Sequence, residues 1–151
     1  MRIALLAASI TLAMASTASL AATAYVSNEK DDSISVIDLA SQTVTETLKV
    51  GMRPRGLLLS SDNKLLYICA SDSDRVQVMD LATRKIIKEL PSGADPEQFA
   101  LHPNDRWLYI SNEDDALVTV VDSQSDAVLA QIDVGVEPDS MAVSPDGKWA
   151  R

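Results

Sequence analysis

The feature that most constrains this chain is a 42-residue period that runs from Tyr25 to Ala150 without insertion or deletion. Tyr25, Tyr67 and Tyr109 open three copies, 25–66, 67–108 and 109–150. Asp38, Asp80 and Asp122 recur at one phase, Gly51, Gly93 and Gly135 at another, and Pro54, Pro96 and Pro138 at a third. A fixed period of this size means an array of identical supersecondary units. Each unit holds four short runs rich in Val, Ile, Leu and Tyr, which suits strands and not helices. In one unit they are 56–59, 65–70, 76–79 and 86–90. Leucine-rich repeats are shorter, and helical repeats need a 3.6-residue periodicity that is missing.

Turn residues separate the runs. Ser61-Asp62-Asn63-Lys64, Pro103-Asn104-Asp105-Arg106 and Pro145-Asp146-Gly147-Lys148 link the first and second strands. Proline presets φ at the start of a turn, and Asp, Asn and Gly tolerate the backbone angles of its later positions. Asp38, Asp80 and Asp122 end the third strand, where a carboxylate can accept backbone N–H bonds from two residues on. Their role is structural. Four antiparallel strands per unit make the fold class all-β, a β-propeller of four-stranded blades. The expected content is three strands of one blade (25–50), two complete blades (56–90 and 98–134) and the first strand of a fourth (140–144).

The N-terminus is a separate region. Met1-Arg2, the apolar run from Ile3 to Ala15 and the small residues Ser16–Ala21 describe a secretory signal peptide over 1–21. The run is short for a membrane span, and the alternative is a buried N-terminal helix. Cleavage after Ala21 removes Arg2 and leaves 12 basic residues against 22 acidic, a net charge of −10. That argues against nucleic acid and anionic membranes as partners. The mature chain is expected to carry no membrane span and to lie in the periplasm or outside the cell. Cys69 is the single cysteine, within an apolar run, where it reads as a small buried hydrophobe. The reading at the other end is of a truncated propeller, with 22–151 supplying about three blades.

Tyr25-Val26-Ser27-Asn28, Ser35-Val36-Ile37-Asp38, Lys49-Val50-Gly51 with Pro54, and Val143-Ser144-Pro145-Asp146-Gly147-Lys148 closely resemble the YVTN-type β-propeller repeat. The resemblance covers 25–150. It implies seven blades, which need about 290 residues. The exported chain looks most like periplasmic propellers associated with pyrroloquinoline-quinone-dependent alcohol catabolism. The resemblance thus implies a binding or scaffold role beside a periplasmic quinoprotein. Fold relatives include the haem d1 propeller of nitrite reductase and propeller lactonases, so an enzyme with ligands on further blades is the alternative. Cys69-Ala70 and Leu90-Pro91-Ser92-Gly93 depart from the motif, so the blades need not contribute identically to a site.

In such a fold the loops from outer to next inner strand share a face with the second-to-third-strand turns. The loops read Gly51-Met52-Arg53-Pro54-Arg55, Gly93-Ala94-Asp95-Pro96-Glu97 and Gly135-Val136-Glu137-Pro138-Asp139. A constant frame with changing charge describes a binding rim, and equally three tolerant surface loops. The ligand-binding candidates are Arg53, Arg55, Asp95, Glu97, Glu137 and Asp139. Arg53 and Arg55 can clamp a small anionic ligand through carboxylate or phosphate, or pair with acidic neighbours for little energy. On the clamp reading, alanine at both weakens anion binding and leaves the melting temperature nearly unchanged.

The turns Glu29-Lys30-Asp31-Asp32, Asp72-Ser73-Asp74 and Glu113-Asp114-Asp115 are acidic. They are either solvated tips or oxygen donors for calcium, but their spacing matches no known calcium loop. No metal ligand, catalytic residue or cofactor motif is assigned. His102, the only histidine, falls at the turn position of Ser60 and Ser144, on the opposite face. Trp107 and Trp149 share a phase and are expected to pack between blades.

Overall fold

The computed structural model describes residues 22–150. The expected signal peptide lies outside the described residues. Eleven strands form three antiparallel sheets. The first contains β1 (Thr23–Asn28), β2 (Ser33–Asp38) and β3 (Thr43–Lys49). The second contains β4 (Pro54–Leu59), β5 (Leu65–Ala70), β6 (Arg75–Asp80) and β7 (Lys85–Pro91). The third contains β8 (Pro96–Leu101), β9 (Trp107–Asn112), β10 (Leu117–Asp122) and β11 (Val128–Asp133). Within each sheet sequential strands are neighbours, so each sheet is a meander and each is one blade.

The sequence of β5, Leu65-Leu66-Tyr67-Ile68-Cys69-Ala70, is apolar throughout because both faces of the middle blade are covered. Leu66 and Ile68 pack with Met79 of β6 and Ile34 of β2 on the first-blade side. Tyr67 and Cys69 pack with Val76, Val78 and Leu90, and with Phe99, Leu108, Ile110 and Val121 of the third blade. Strand alternation sends successive side chains to opposite neighbours. Cys69 is fully buried, as expected, and burial pushes its thiol well above its usual value.

The period extends to the backbone. Register shifts recur at Val36/Ile37, Val78/Met79 and Val120/Val121. Left-handed φ recurs at Asp32, Asp74 and Ala116, at Gln42, Arg84 and Asp126, at Arg53, Asp95 and Glu137, and at Asn63, Asp105 and Gly147. The repeated aspartates close the turn into the outer strand, one residue farther on than expected in the first two copies. Asp38 Oδ1 accepts from Ser41 N at 2.6 Å, and Asp80 Oδ1 from Thr83 N at 2.7 Å. Asp122 Oδ1 accepts from Gln124 N, two residues on, at 2.9 Å and from Ser125 N at 3.3 Å.

The hydrogen bonds from Thr83 hold the Asp80 carboxyl below its ordinary 3.8. A group with a depressed folded pKa stabilises the fold above its unfolded value, and that gain is lost as pH falls. The stability advantage of the wild type over Asp80→Asn should therefore be largest above about pH 5 and disappear as pH drops below 3.8. Urea midpoints at several pH values measure it, and a pH-independent difference would contradict it.

One expectation is corrected. Residues 140–144 do not form a strand; only the bridge between Val143 and Ala150 is present. Across the turn at 145–148, Val143 bridges Ala150 and Ser144 N donates to Trp149 O at 2.8 Å. At the phase of the tryptophans, Leu65 packs against the core between the middle and third blades. Trp107 is 37% exposed, with its ring 4.9 Å from that of His102, and Trp149 is 76% exposed. Leu108 and Ile110 face the middle blade, so strand alternation turns Trp107 to the other side of the third blade.

The segment after β11 lies over the far face of the third blade. It lines an open apolar cleft of about 220 Å³ with Tyr109, Val118 and Ile132. All six residues of β11 are exposed, as are Val134 and Val136. An edge strand with exposed apolar side chains is a template for self-association. Residues 22–151 expressed alone should therefore elute as concentration-dependent aggregates in gel filtration; a monodisperse monomer would contradict this.

Candidate functional site

The loops β3–β4, β7–β8 and 134–139 share one face with the turns β1–β2, β5–β6 and β9–β10. Arg53 shows this by its contacts. Its Nε lies 3.2 Å from Glu29 on the first blade. Its Nη1 lies 3.4 Å from Asp72 of the middle blade and 3.0 Å from both oxygens of Asp95 on the third. Its Nη2 lies 3.6 Å from Glu97 Oε1. Arg55 Nη2 is 2.5 Å from Glu97 Oε2, and its Nη1 is 3.6 Å from Glu29. Four of the six candidates, Arg53, Arg55, Asp95 and Glu97, thus meet in one network. Glu137 and Asp139 are exposed, and no ion pair involves them among the described residues.

The network depends on close apposition of the inner strands β4 and β8. A Cβ on Gly56 would lie 2.6 Å from the Glu97 carbonyl oxygen and 3.1 Å from Gln98 Cα. Only glycine permits that approach. It brings Arg55 of β4 against Glu97 of β8.

The turn aspartates hold the rim loops. Arg53, Asp95 and Glu137 all adopt left-handed φ, a costly region for residues other than glycine. Asp32 Oδ1 accepts from Arg53 N at 2.9 Å, and Asp74 Oδ1 from Asp95 N at 3.0 Å. The third copy has Ala116 at this phase, itself at φ 51°, and alanine offers no acceptor to Glu137 N. Asparagine tolerates left-handed φ and can accept that bond. Ala116→Asn should therefore stabilise the protein by about 1 kcal/mol, read as a raised urea midpoint. A lowered midpoint would show that the third loop is not held as the first two are.

Glu97 is the least expected member. Only 2% of its side chain is exposed, and Oε1 accepts no hydrogen bond among the described residues. An orphaned buried acceptor costs about 1–3 kcal/mol. Burial pushes its carboxyl up to about 7, against the pull of Arg55 and with the help of Glu113 and Asp95. Oxygens of Asp95, Glu97 and Glu113 lie within 4.8 Å of one another. The sequence singled out Asp95 and Glu97 by their loops and Glu113 by its acidic turn. It did not join them, because β8 and β9 separate loop from turn.

His102 is a turn staple on the opposite face. Its Nδ1 accepts from Asn104 N at 3.1 Å, which leaves Nε2 to donate to the Gly147 carbonyl at 3.2 Å. A cleft of about 510 Å³ is also on that face, between the middle and third blades. Its cation, Lys88, is already held 2.6 Å from Ser123 O and 2.6 Å from Asp126, so no lining cation is left free for an anion. The rim is therefore the better candidate site.

A model of the YNCE-like beta-propeller family matches residues 2–114. No curated protein matches the chain. Among solved structures, Kuenenia stuttgartiensis hydrazine synthase is similar, with a TM-score of 0.77 and 26% sequence identity. The similarity covers 83% of this chain and 37% of that chain, so the chain spans well under half the length of this relative.

Proposed function

Because the chain belongs to the YNCE-like beta-propeller family, we propose that it is an exported binding or scaffold propeller, accessory to quinoprotein alcohol oxidation in the periplasm. The observation that carries the binding role is the rim itself. Side chains from three blades converge there on Arg53, through Glu29, Asp72, Asp95 and Glu97. A surface assembled from several blades is what a ligand or partner over the propeller axis requires. The periplasmic and quinoprotein parts rest on the signal-like N-terminus and on the YVTN-type repeat. The partners are a periplasmic quinoprotein or a small anionic ligand. An anion must compete with the carboxylates that already hold Arg53 and Arg55.

The test is to mix the whole protein with a purified pyrroloquinoline-quinone-dependent alcohol dehydrogenase. Sedimentation reads complex formation, and alcohol-dependent dye reduction reads turnover. A complex with altered turnover is expected; neither effect would remove the quinoprotein role.

One observation favours a second reading, an enzymatic propeller such as a lactonase-like hydrolase or a d1-haem-type oxidoreductase. Glu97 is a buried carboxyl pushed up to about 7, the range in which a general acid or base works at neutral pH. Lactone hydrolysis by the whole protein that is lost in Glu97→Gln would replace the scaffold reading by this one.

A further inference from the structure

Asp95, Glu97 and Glu113 come from two neighbouring segments of the third blade, the β7–β8 loop running into β8 and the β9–β10 turn. One oxygen from each lies within 4.8 Å of the others. That is the span open to donors sharing one calcium ion at about 2.4 Å. Acidic clusters on a surface need no such explanation, but Glu97 is different. Its side chain is only 2% exposed, yet Oε1 accepts no hydrogen bond among the described residues, and the cation beside it, Arg53 Nη2, stands off at 3.6 Å. A buried carboxylate oxygen is retained where something positive meets it. The two arginines do not fill that role for the whole cluster. Arg55 faces Oε2, and Arg53 divides its donors among Glu29, Asp72 and Asp95. Around the two arginines stand Glu29, Asp72, Asp95, Glu97 and Glu113, so the rim carries more negative than positive charge. All three donors are hard oxygens, which suit calcium or magnesium and not a soft metal. Asp95 is 12% exposed and Glu113 partly exposed, so the cluster opens to solvent on one side. Water can complete the coordination there.

We propose that Asp95, Glu97 and Glu113 form a calcium-binding site on the rim, with the buried Glu97 Oε1 as its inner ligand. The site ties the β7–β8 loop to the β9–β10 turn. It does not depend on the scaffold reading, because calcium can be tested with no partner present.

The experiment is calorimetric titration of the whole protein with calcium chloride at fixed ionic strength, with magnesium chloride as comparator and thermal unfolding in parallel. Saturable one-to-one calcium binding below about 1 mM is expected, with a higher melting temperature that chelation reverses. Glu97→Gln and Glu113→Gln should each weaken binding about tenfold or more, since each removes one ligand charge. Both are near-isosteric, and circular dichroism confirms the fold. Asp31→Asn, an exposed acidic residue of the β1–β2 turn outside both the cluster and the arginine network, should change the affinity less than about twofold, being screened. Absence of a saturable signal in the wild type would overturn the site. So would equal weakening by Asp31→Asn and Glu97→Gln, which would mean diffuse attraction to an acidic face.

Discussion

Arg55→Met should destabilise the protein by about 2–3 kcal/mol at pH 8. The physical reason is Glu97. Its carboxylate is 2% exposed, and Arg55 Nη2 at 2.5 Å is its nearest cation. Methionine keeps the length of the stem and removes the charge, so the cost measures the orphaned carboxylate and not lost packing. The loss stays below that of a fully enclosed pair, because Arg55 is 31% exposed and Glu97 can take up a proton instead. The double variant Arg55→Met/Glu97→Gln should recover most of the loss, since a neutral amide needs no counter-charge. Urea unfolding at pH 8 measures both variants. A neutral Arg55→Met would mean that the pair is solvated in the protein. This replaces the sequence expectation that removing Arg53 and Arg55 leaves the melting temperature nearly unchanged. Both guanidiniums reach a buried carboxylate on the next blade, so they act in the fold whatever they bind.

Gly56→Val should cost about 3 kcal/mol. The new Cβ would meet the Glu97 carbonyl at 2.6 Å and Gln98 Cα at 3.1 Å. These are backbone atoms of the neighbouring blade, so no rotamer change relieves the clash, and β4 must move away from β8. The same displacement should draw Arg55 away from Glu97, so the variant should lose the coupling between those two residues. Gly56→Ala should show a smaller loss of the same sign. An unchanged urea midpoint for Gly56→Val would show that the inner strands are not so closely apposed. The position illustrates how blades differ within a strict repeat: its counterparts are Gln98 and Ser140, and only the first copy needs the missing side chain.

Much of the blade structure was legible in the chain. The 42-residue period located β4 to β11 within a residue or two, because four apolar runs with Asp, Asn, Gly and Pro between them leave the backbone few alternatives. The turn role of Asp38, Asp80 and Asp122 was legible for the same local reason, although the bonding partner was set by each turn's geometry. The clustering of rim loops and turns on one face also followed from strand order alone. What failed was whatever lacked a repeat to define it. Residues 140–144 carry the apolar pattern of an inner strand, but a strand needs a partner, and they find one bridge.

The candidate site divides the same way. That Arg53, Arg55, Asp95 and Glu97 belong to equivalent loops was determined by the sequence, through the frame that repeats from Gly51 to Gly93. That Arg53 touches three blades, and that Glu97 is buried with one oxygen unmatched, was decided only by the tertiary structure. Local sequence dictates backbone direction and turn type, because those depend on a few adjacent residues. Burial and electrostatics depend on what the neighbouring blade brings within a few ångströms. Here that is set by the absence of a side chain at Gly56, 41 residues before the carboxylate it admits.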